Sequence, residues 1–346
     1  MGARPTVLAL NSGSSSLKFG VYRVASAGIE TLLSKTIDVF EPRAAMAQMS
    51  SILTAAGMPL PSAIGHRVVH GGPKLLRHCL IDDRILQQLE AAIPFAPLHM
   101  PPALAIIRFA RTHYPDLPQS ACFDTTFHAD LPDVARVLPI PRAMHSEGIQ
   151  RYGFHGLSCE SIVHQLGSDL PDRVIVAHLG NGASVTAIER GKSIDTSMGL
   201  TPTGGVIMGT RSGDLDPGVL LYLMREKKFD ADQLEDLVDR HSGLLGISGV
   251  DSDMRRLHEA APSNADAKLA IKMFCYSVRK QIAAMIAVLR GADLIVFTGG
   301  IGENDQEVRA AICAGLYWAG VKVIVLPSQE DEQIARHTAA LSFRPS

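Results

Sequence analysis

A buried strand that runs into a glycine- and serine-rich turn and out into a second strand occurs twice in this chain, about half its length apart. Val7 to Leu10 is apolar without interruption, Asn11-Ser12-Gly13-Ser14-Ser15-Ser16 forms the turn, and Leu17-Lys18-Phe19-Gly20-Val21-Tyr22 resumes as a strand. The second copy reads Val174-Ile175-Val176-Ala177, then His178-Leu179-Gly180-Asn181-Gly182, then Ser184-Val185-Thr186-Ala187-Ile188. Strand patterning on both sides of a short polar turn is a hairpin signal. The copies share a pattern and almost no identity, which suggests an old duplication whose halves face a central cleft. At roughly 150 residues per domain, 346 residues agree with two domains. The boundary is placed near residue 150, between Pro141 and Tyr152. This gives an N-terminal domain of residues 1–150, a C-terminal domain of 151–330, and a helix in 331–346 expected to return to the first domain.

Several further elements are legible. Asp82-Asp83 offers an N-cap to a helix from Arg84 to Ile93, and Pro101-Pro102 opens another over Ala103–Arg111. Val68-Val69 belongs to a short strand that ends at Gly71-Gly72. The strongest helix signal is Ala265–Arg290, with Leu269, Met273, Ile282, Met285, Ile286 and Leu289 at three- and four-residue spacings and Gly291 as its stop. Leu294–Phe297 is a buried strand, Thr298–Gly302 a tight turn, and Asp305–Leu316 a helix capped by Asn304 or Asp305. Lys322–Leu326 is a last strand and Glu330–Leu341 a last helix.

Composition narrows the function classes. Apolar residues make up 46% and charged residues 20%, which excludes a disordered chain. Lysine plus arginine (33) nearly balance aspartate plus glutamate (35). There is therefore no concentrated basic footprint for nucleic acid. No run of about 20 apolar residues exists, because Arg290 and Asp293 break the most apolar stretch. Val7–Leu10 is too short for a signal-peptide core. The five cysteines (Cys79, Cys122, Cys159, Cys275, Cys313) lack close spacing and fit reduced thiols. A cytoplasmic α/β protein is expected.

Glycine-rich turns let backbone N–H groups approach phosphates because no Cβ intervenes. Residues 11–16, 180–184 and 299–302 are of this kind, each after a buried strand. A Walker A loop is absent: Gly191-Lys192-Ser193 imitates its end, but Thr186 stands where the leading glycine belongs. Gly180 and Gly182 are followed by Val185, so the Rossmann fingerprint is absent too. His66 and His70 lie four apart, but on a strand that spacing is too wide for one metal; hydrogen-bonding roles are expected. Arg67 and Arg211 sit beside glycines and as a pair suit a carboxylate or a phosphoryl group, although either one alone reads more readily as an interdomain salt-bridge partner. Asp124, read alone, would be a turn or cap residue.

Taken together these motifs resemble the acetate/propionate kinase family, within the superfamily of acetate and sugar kinases, heat-shock ATPases and actin. The resemblance rests on Asn11–Phe19, Gly65–Gly72, Arg151–Gly156, His178–Ser184, Asp195–Pro202, Met208–Asp214 and Phe297–Asn304. It implies an α/β, two-domain duplicated actin-like ATPase (ribonuclease H-like) fold with a central nucleotide cleft. The implied reaction is reversible phosphoryl transfer from ATP to acetate or propionate, giving the acyl phosphate and ADP. Mg²⁺, or Mn²⁺ in its place, and a homodimer are implied as well; nucleic acid and membrane are not. Carried over by position, Arg67, Asp124, His155 and Arg211 are the catalytic residues. Arg67, Val69, Leu98, Phe154 and Pro202 hold the carboxylic acid. Asn11, Ser14, Ser16, Lys18, His178, Asn181, Gly182, Asp253, Met254, Arg255, Gly300, Ile301 and Asn304 line the nucleotide site. Asn11 and Glu330 attend the metal, with Asp124 either joining them or orienting an arginine.

The chain departs from the family pattern at Thr203-Gly204-Gly205, beside the expected alkyl pocket, at Leu157-Ser158-Cys159, and around Glu330. It is also shorter than typical members, between Trp318 and Lys322 and in its first hundred residues. A butyrate or branched-acid kinase is therefore a second enzyme reading. A nucleotide-binding switch on the same fold is a third, but it would have no need of Arg67, Arg211 and His155 together.

Overall fold

The computed structural model describes residues 5–13, 16–25, 28–38 and 41–343. They form two compact units. Unit 1 takes the chain to Ala129, then Gly156–Ser161 and the segment from Gln329; unit 2 takes Asp130–His155 and Ile162–Ser328. The break expected near residue 150 falls inside unit 2, where the Arg151 guanidinium donates to the carbonyls of Ala135, Thr196, Ser197 and Met198.

In unit 1, β1 (Thr6–Ser12) pairs antiparallel with β2 (Leu17–Ala25), and β2 with β3 (Gly28–Ile37). On its other side β1 runs parallel to β4 (Ala63–Val68), which runs parallel to β6 (Gln119–Phe123); the short β5 (Cys79–Leu80) closes that edge. Side chains alternate across a strand, and both faces of β1 are covered. Leu8 and Leu10 join Phe19, Ile64, Met46 and Met49, the last two from α1 (Pro42–Ala55). Val7 and Ala9 face Ile334 and Ala335 of the C-terminal helix. Burial on both faces explains why Val7–Leu10 is continuously apolar. Asp82 caps α2 (Asp83–Ala91) by accepting from the Ile85 amide at 2.7 Å, and the prolines stand in the first turn of α3 (Met100–His113).

Unit 2 has two short helices, α4 (Asp133–Arg136) and α5 (Arg142–Ser146). α6 (Gly156–Leu166) starts among the unit 1 residues and continues into unit 2. A second sheet follows: β7 (Arg173–Leu179), β8 (Ala183–Glu189) and β9 (Lys192–Thr196) are antiparallel neighbours. Then come α7 (Pro217–Glu226), α8 (Ala231–Arg240), α9 (Gly243–Ser248), α10 (Met254–Ala260) and the long α11 (Ala265–Val288). β10 (Leu294–Thr298) runs parallel to β7, and β11 (Lys322–Val325) parallel to β10. The strand order β11-β10-β7-β8-β9 repeats β6-β4-β1-β2-β3 with the same directions. The duplication read from the hairpins is thus a duplication of whole sheets.

Three readings need correction. Ile282, Met285, Ile286 and Leu289 are buried as expected, but Leu269 is 47% and Met273 38% exposed. The inward stripe there is carried instead by Ala267, Ala270, Phe274 and Val278. The tight turn after Thr298 is the first turn of a helix, α12 (Gly299–Asn304), and Asp305 caps the next, α13 (Gln306–Cys313). β3, α1, β9 and α7–α10 had no counterpart in the sequence reading.

The last helix, α14 (Glu330–Ser342), lies on β1, β4 and β6. Gly65 on β4 makes this approach possible. A Cβ there would stand 2.2 Å from Thr338 Oγ1 and 2.6 Å from Ile334 Cγ2. Ser120 and Thr338 hydroxyls meet at 2.6 Å in the same layer. All five cysteines are free, and among the described residues no helix is long and apolar enough to cross a membrane.

Candidate active site

Unit 1 gathers charge where β1, β2 and β4 meet the start of α14. Arg67 on β4 grips Asp124, the residue after β6, with Nε at 3.0 Å and Nη2 at 2.6 Å from Oδ2, and Nη1 donates to Asn11 Oδ1 at 3.1 Å. Asp124 is 1% exposed. The guanidinium is thus held by a buried carboxylate. Burial raises the Asp124 carboxyl above the ordinary carboxylate range, although Arg67 pulls the other way. Burial works against the Arg67 charge, but Asp124 and Glu330 outweigh it and hold the guanidinium protonated.

The Asn11 amino group donates to Glu330 Oε2 at 3.2 Å and to Asp331 Oδ1 at 2.8 Å. With its carbonyl turned to Arg67, Asn11 in this arrangement orients the carboxylates. Lys18 on β2 reaches Asp331 at 3.0 Å. Sequence reasoning missed Asp331. Its signal was the acidic run Glu330-Asp331-Glu332 opening a helix, from which Glu330 alone was chosen. Hard carboxylate oxygens next to a lysine and an arginine form a donor set that suits Mg²⁺ carried with a phosphate. Ser16 closes the first hairpin, its carbonyl accepting from the Gly13 amide at 2.9 Å; Ser14 lies outside the described residues.

Unit 2 builds a second polar corner around its hairpin turn. His155 precedes α6 in a left-handed conformation, φ 57°, a strained setting for a residue with a Cβ. Its Nδ1 lies 3.0 Å from Ser184 Oγ on β8, and its ring stacks on His178 of β7 with centroids 4.2 Å apart. Gly182 leaves the space into which these groups point. A Cβ on Gly182 would stand 3.1 Å from His155 Nε2 and 3.4 Å from Arg211 Nη1. The same Nη1 donates to the Pro202 carbonyl at 3.2 Å. The Gly209 amide donates to the Asn181 carbonyl at 3.1 Å, tying the Arg211 loop to the hairpin. His155, His178, Asn181, Gly182, Pro202 and Arg211 are thus brought together.

Other expected residues are placed less closely. Asp253 caps α10 and pairs with Arg255 at 2.5 Å, while Met254 is buried. His258 on α10 bonds Asp305 at 2.8 Å, linking that helix to the end of α12, which carries Gly300, Ile301 and Asn304. Asn304 donates to the Gly300 carbonyl at 2.9 Å. Val69 and Leu98 belong to unit 1 and Phe154 and Pro202 to unit 2. His66 is buried against Gln119 at 2.9 Å, and burial lowers its pKa to about 4. His70 accepts from the Gly72 amide at 2.8 Å. Both histidines serve hydrogen bonds.

Two sheets of one topology, each with its own first hairpin turn, define a protein of the duplicated actin-like, ribonuclease H-like fold. The sequence pattern of the acetokinase family matches residues 43–334. The acetate kinase of Methylocella silvestris is 46% identical over 304 residues, covering 81% of this chain and 75% of that protein. The acetate kinase of Chloroherpeton thalassium is 41% identical, covering 92% and 88%. Among solved structures, a propionate kinase from Francisella tularensis superposes with a TM-score of 0.87 at 34% identity, covering 97% of this chain and 100% of that one. Porphyromonas gingivalis acetate kinase gives 0.84 at 33% identity, covering 97% and 99%. The chain belongs to the acetokinase family, as an enzyme of the acetate kinase class: a phosphotransferase whose acceptor is a carboxyl group.

Proposed function

We propose that the chain transfers the terminal phosphoryl group of ATP reversibly to acetate by direct in-line displacement, giving acetyl phosphate and ADP. One observation carries the reading most: His155 Nε2 and Arg211 Nη1 both border the space left by the missing Gly182 side chain. A carboxylate is already ionised and nucleophilic at pH 7, so no general base is required. One acetate oxygen forms a bond to phosphorus as the bond to the bridging oxygen of ADP breaks, and no proton is transferred. Alignment and neutralisation of the equatorial oxygens then carry the catalysis.

Arg67, held by Asp124, is assigned to the acetate carboxylate, and Arg211 to the phosphoryl oxygens. If the Ser184 hydroxyl donates to Nδ1, the ring proton of His155 sits on Nε2, facing the same oxygens. Val69, Leu98, Phe154 and Pro202 are assigned to the methyl group. Asn11, Ser16, Lys18 and the Gly180–Gly182 turn serve the phosphates. Asp253–Arg255 and Gly300–Asn304 serve the adenosine. Glu330, oriented by Asn11 and seconded by Asp331, would hold Mg²⁺, which neutralises phosphate charge when bound.

Propionate is the second reading: a propionate kinase structure and an acetate kinase structure are equally similar to this chain, at 34% and 33% identity, and Thr203, where the chain departs from the family pattern, turns its hydroxyl to Asp239 at 2.6 Å. One methylene is worth only about 1–3 kcal/mol, so rates across formate, acetate, propionate and butyrate decide it. A homodimer in the cytoplasm completes the proposal. Leu269, Met273 and Tyr276 support the dimer, because they form an exposed apolar stripe on α11 at a spacing that presents one face.

A further inference from the structure

We propose that unit 1 carries a site for a divalent transition metal, formed by His78, Glu160 and His337, none of which has a role in the reaction above. His337 Nε2 lies 2.6 Å from Glu160 Oε2, and His78 Nε2 lies 3.7 Å from Glu160 Oε1. The imidazole centroids are 3.9 Å apart, and one donor atom from each residue lies within 4.8 Å of the others. Ligands held about 2.0–2.2 Å from a single zinc ion are themselves separated by about 3–3.5 Å in a tetrahedral shell. The observed spacings bracket that range.

The ligands come from three elements: His78 just before β5, Glu160 in α6, and His337 in α14. Their side chains are 9%, 16% and 25% exposed, so the cluster is half-buried and not sealed from solvent. His78 Nε2 is buried without a hydrogen-bond partner. Gln333 donates to Glu160 Oε2 at 3.3 Å and steadies it. Two imidazoles and one carboxylate favour Zn²⁺, Co²⁺, Ni²⁺ or Cu²⁺ over Mg²⁺.

One bond opposes the metal. The Phe123 amide donates to His78 Nδ1 at 3.0 Å, which places the ring proton on Nε2. Ligation through Nε2 requires the proton to move to Nδ1 and releases that amide, so metal uptake competes with a single backbone bond. In return the metal would clamp α14 to α6 and to the lead of β5, within the unit whose α14 begins with Glu330 and Asp331.

The test is a Co²⁺ titration of the chelator-stripped full-length protein in excess Mg²⁺, which occupies the all-oxygen sites. Visible absorption is recorded, followed by Zn²⁺ displacement and thermal melting. One equivalent of Co²⁺ should give a nitrogen-ligand band that Zn²⁺ abolishes, and Zn²⁺ alone should raise the melting temperature. His337→Ala should remove the band, and Glu160→Gln, which keeps the shape of the side chain if the alanine variant misfolds, should weaken uptake at least tenfold. No band in the unmodified protein would overturn the proposal and leave the Phe123 bond as the stronger claim on His78. A band of undiminished affinity in Glu160→Gln would overturn it equally, by placing the metal elsewhere.

Discussion

At the scale of single residues, the account rests on two arginines held in different ways. Arg67 is fixed by a buried carboxylate, whereas Arg211 is held through a backbone carbonyl beside a glycine turn. Arg211→Ala should lower turnover by at least about two orders of magnitude while ATP still binds; a near-normal rate in a coupled assay would remove it from the mechanism. Gly182→Ala is sharper, because both side chains stay and only their placement is disturbed. The added methyl would fill the space beside His155 and Arg211. Misplacement of reacting groups on that scale costs about 10²-fold, and the melting temperature should stay within a few degrees. Asp124 adds a pH dependence. Because burial raises its pKa, its protonation, which loosens Arg67, should begin above the ordinary aspartate value of about 3.9. The rate should therefore fall with an acidic limb above that value, and Asp124→Asn should remove the limb and leave the low rate at every pH.

At the scale of elements, what was legible followed from burial on two faces and from caps. β1, β7 and β10 read as continuous apolar runs because helices or loops cover both sides, and α2 and α13 announced themselves through Asp82 and Asp305. β3 was missed because six of its ten residues are exposed and it has no clean alternation. α8 was legible but passed over: Asp230 and Gln233 form a reciprocal capping box, and Leu234, Leu237 and Val238 share one half-buried face. Among site residues, the glycine turns and both arginines stood out because their chemistry is unusual on a loop. Asp331 and Ser184 did not, since a second acid in an acidic turn and a serine in a strand carry no signal until the partner is placed. Gly65 was quoted only as part of a motif; its reason is the close packing of α14. Gly65→Ala should cost about 1–3 kcal/mol through overpacking. By shifting α14 it should also raise the Mg²⁺ concentration needed for half-maximal rate. A lower melting point with unchanged Mg²⁺ dependence would separate packing from the placement of Glu330 and Asp331.

At the scale of the whole molecule, the duplicated sheets give each unit a hairpin turn and a charged corner of its own, one rich in carboxylates and the other in imidazoles and an arginine. The apolar stripe of Leu269, Met273 and Tyr276 predicts a dimer by sedimentation, and Met273→Asp with Tyr276→Asp should yield monomers. An unchanged sedimentation coefficient would place the dimer surface elsewhere. The central claim, phosphoryl transfer to a short carboxylate, is tested most directly by trapping the product. The protein is incubated with ATP, Mg²⁺ and hydroxylamine, with formate, acetate, propionate or butyrate in turn. Hydroxamate should form with acetate or propionate, in step with ADP release, and should be lost in Gly182→Ala. ATP bound or hydrolysed with no hydroxamate from any of the four acids would contradict the account.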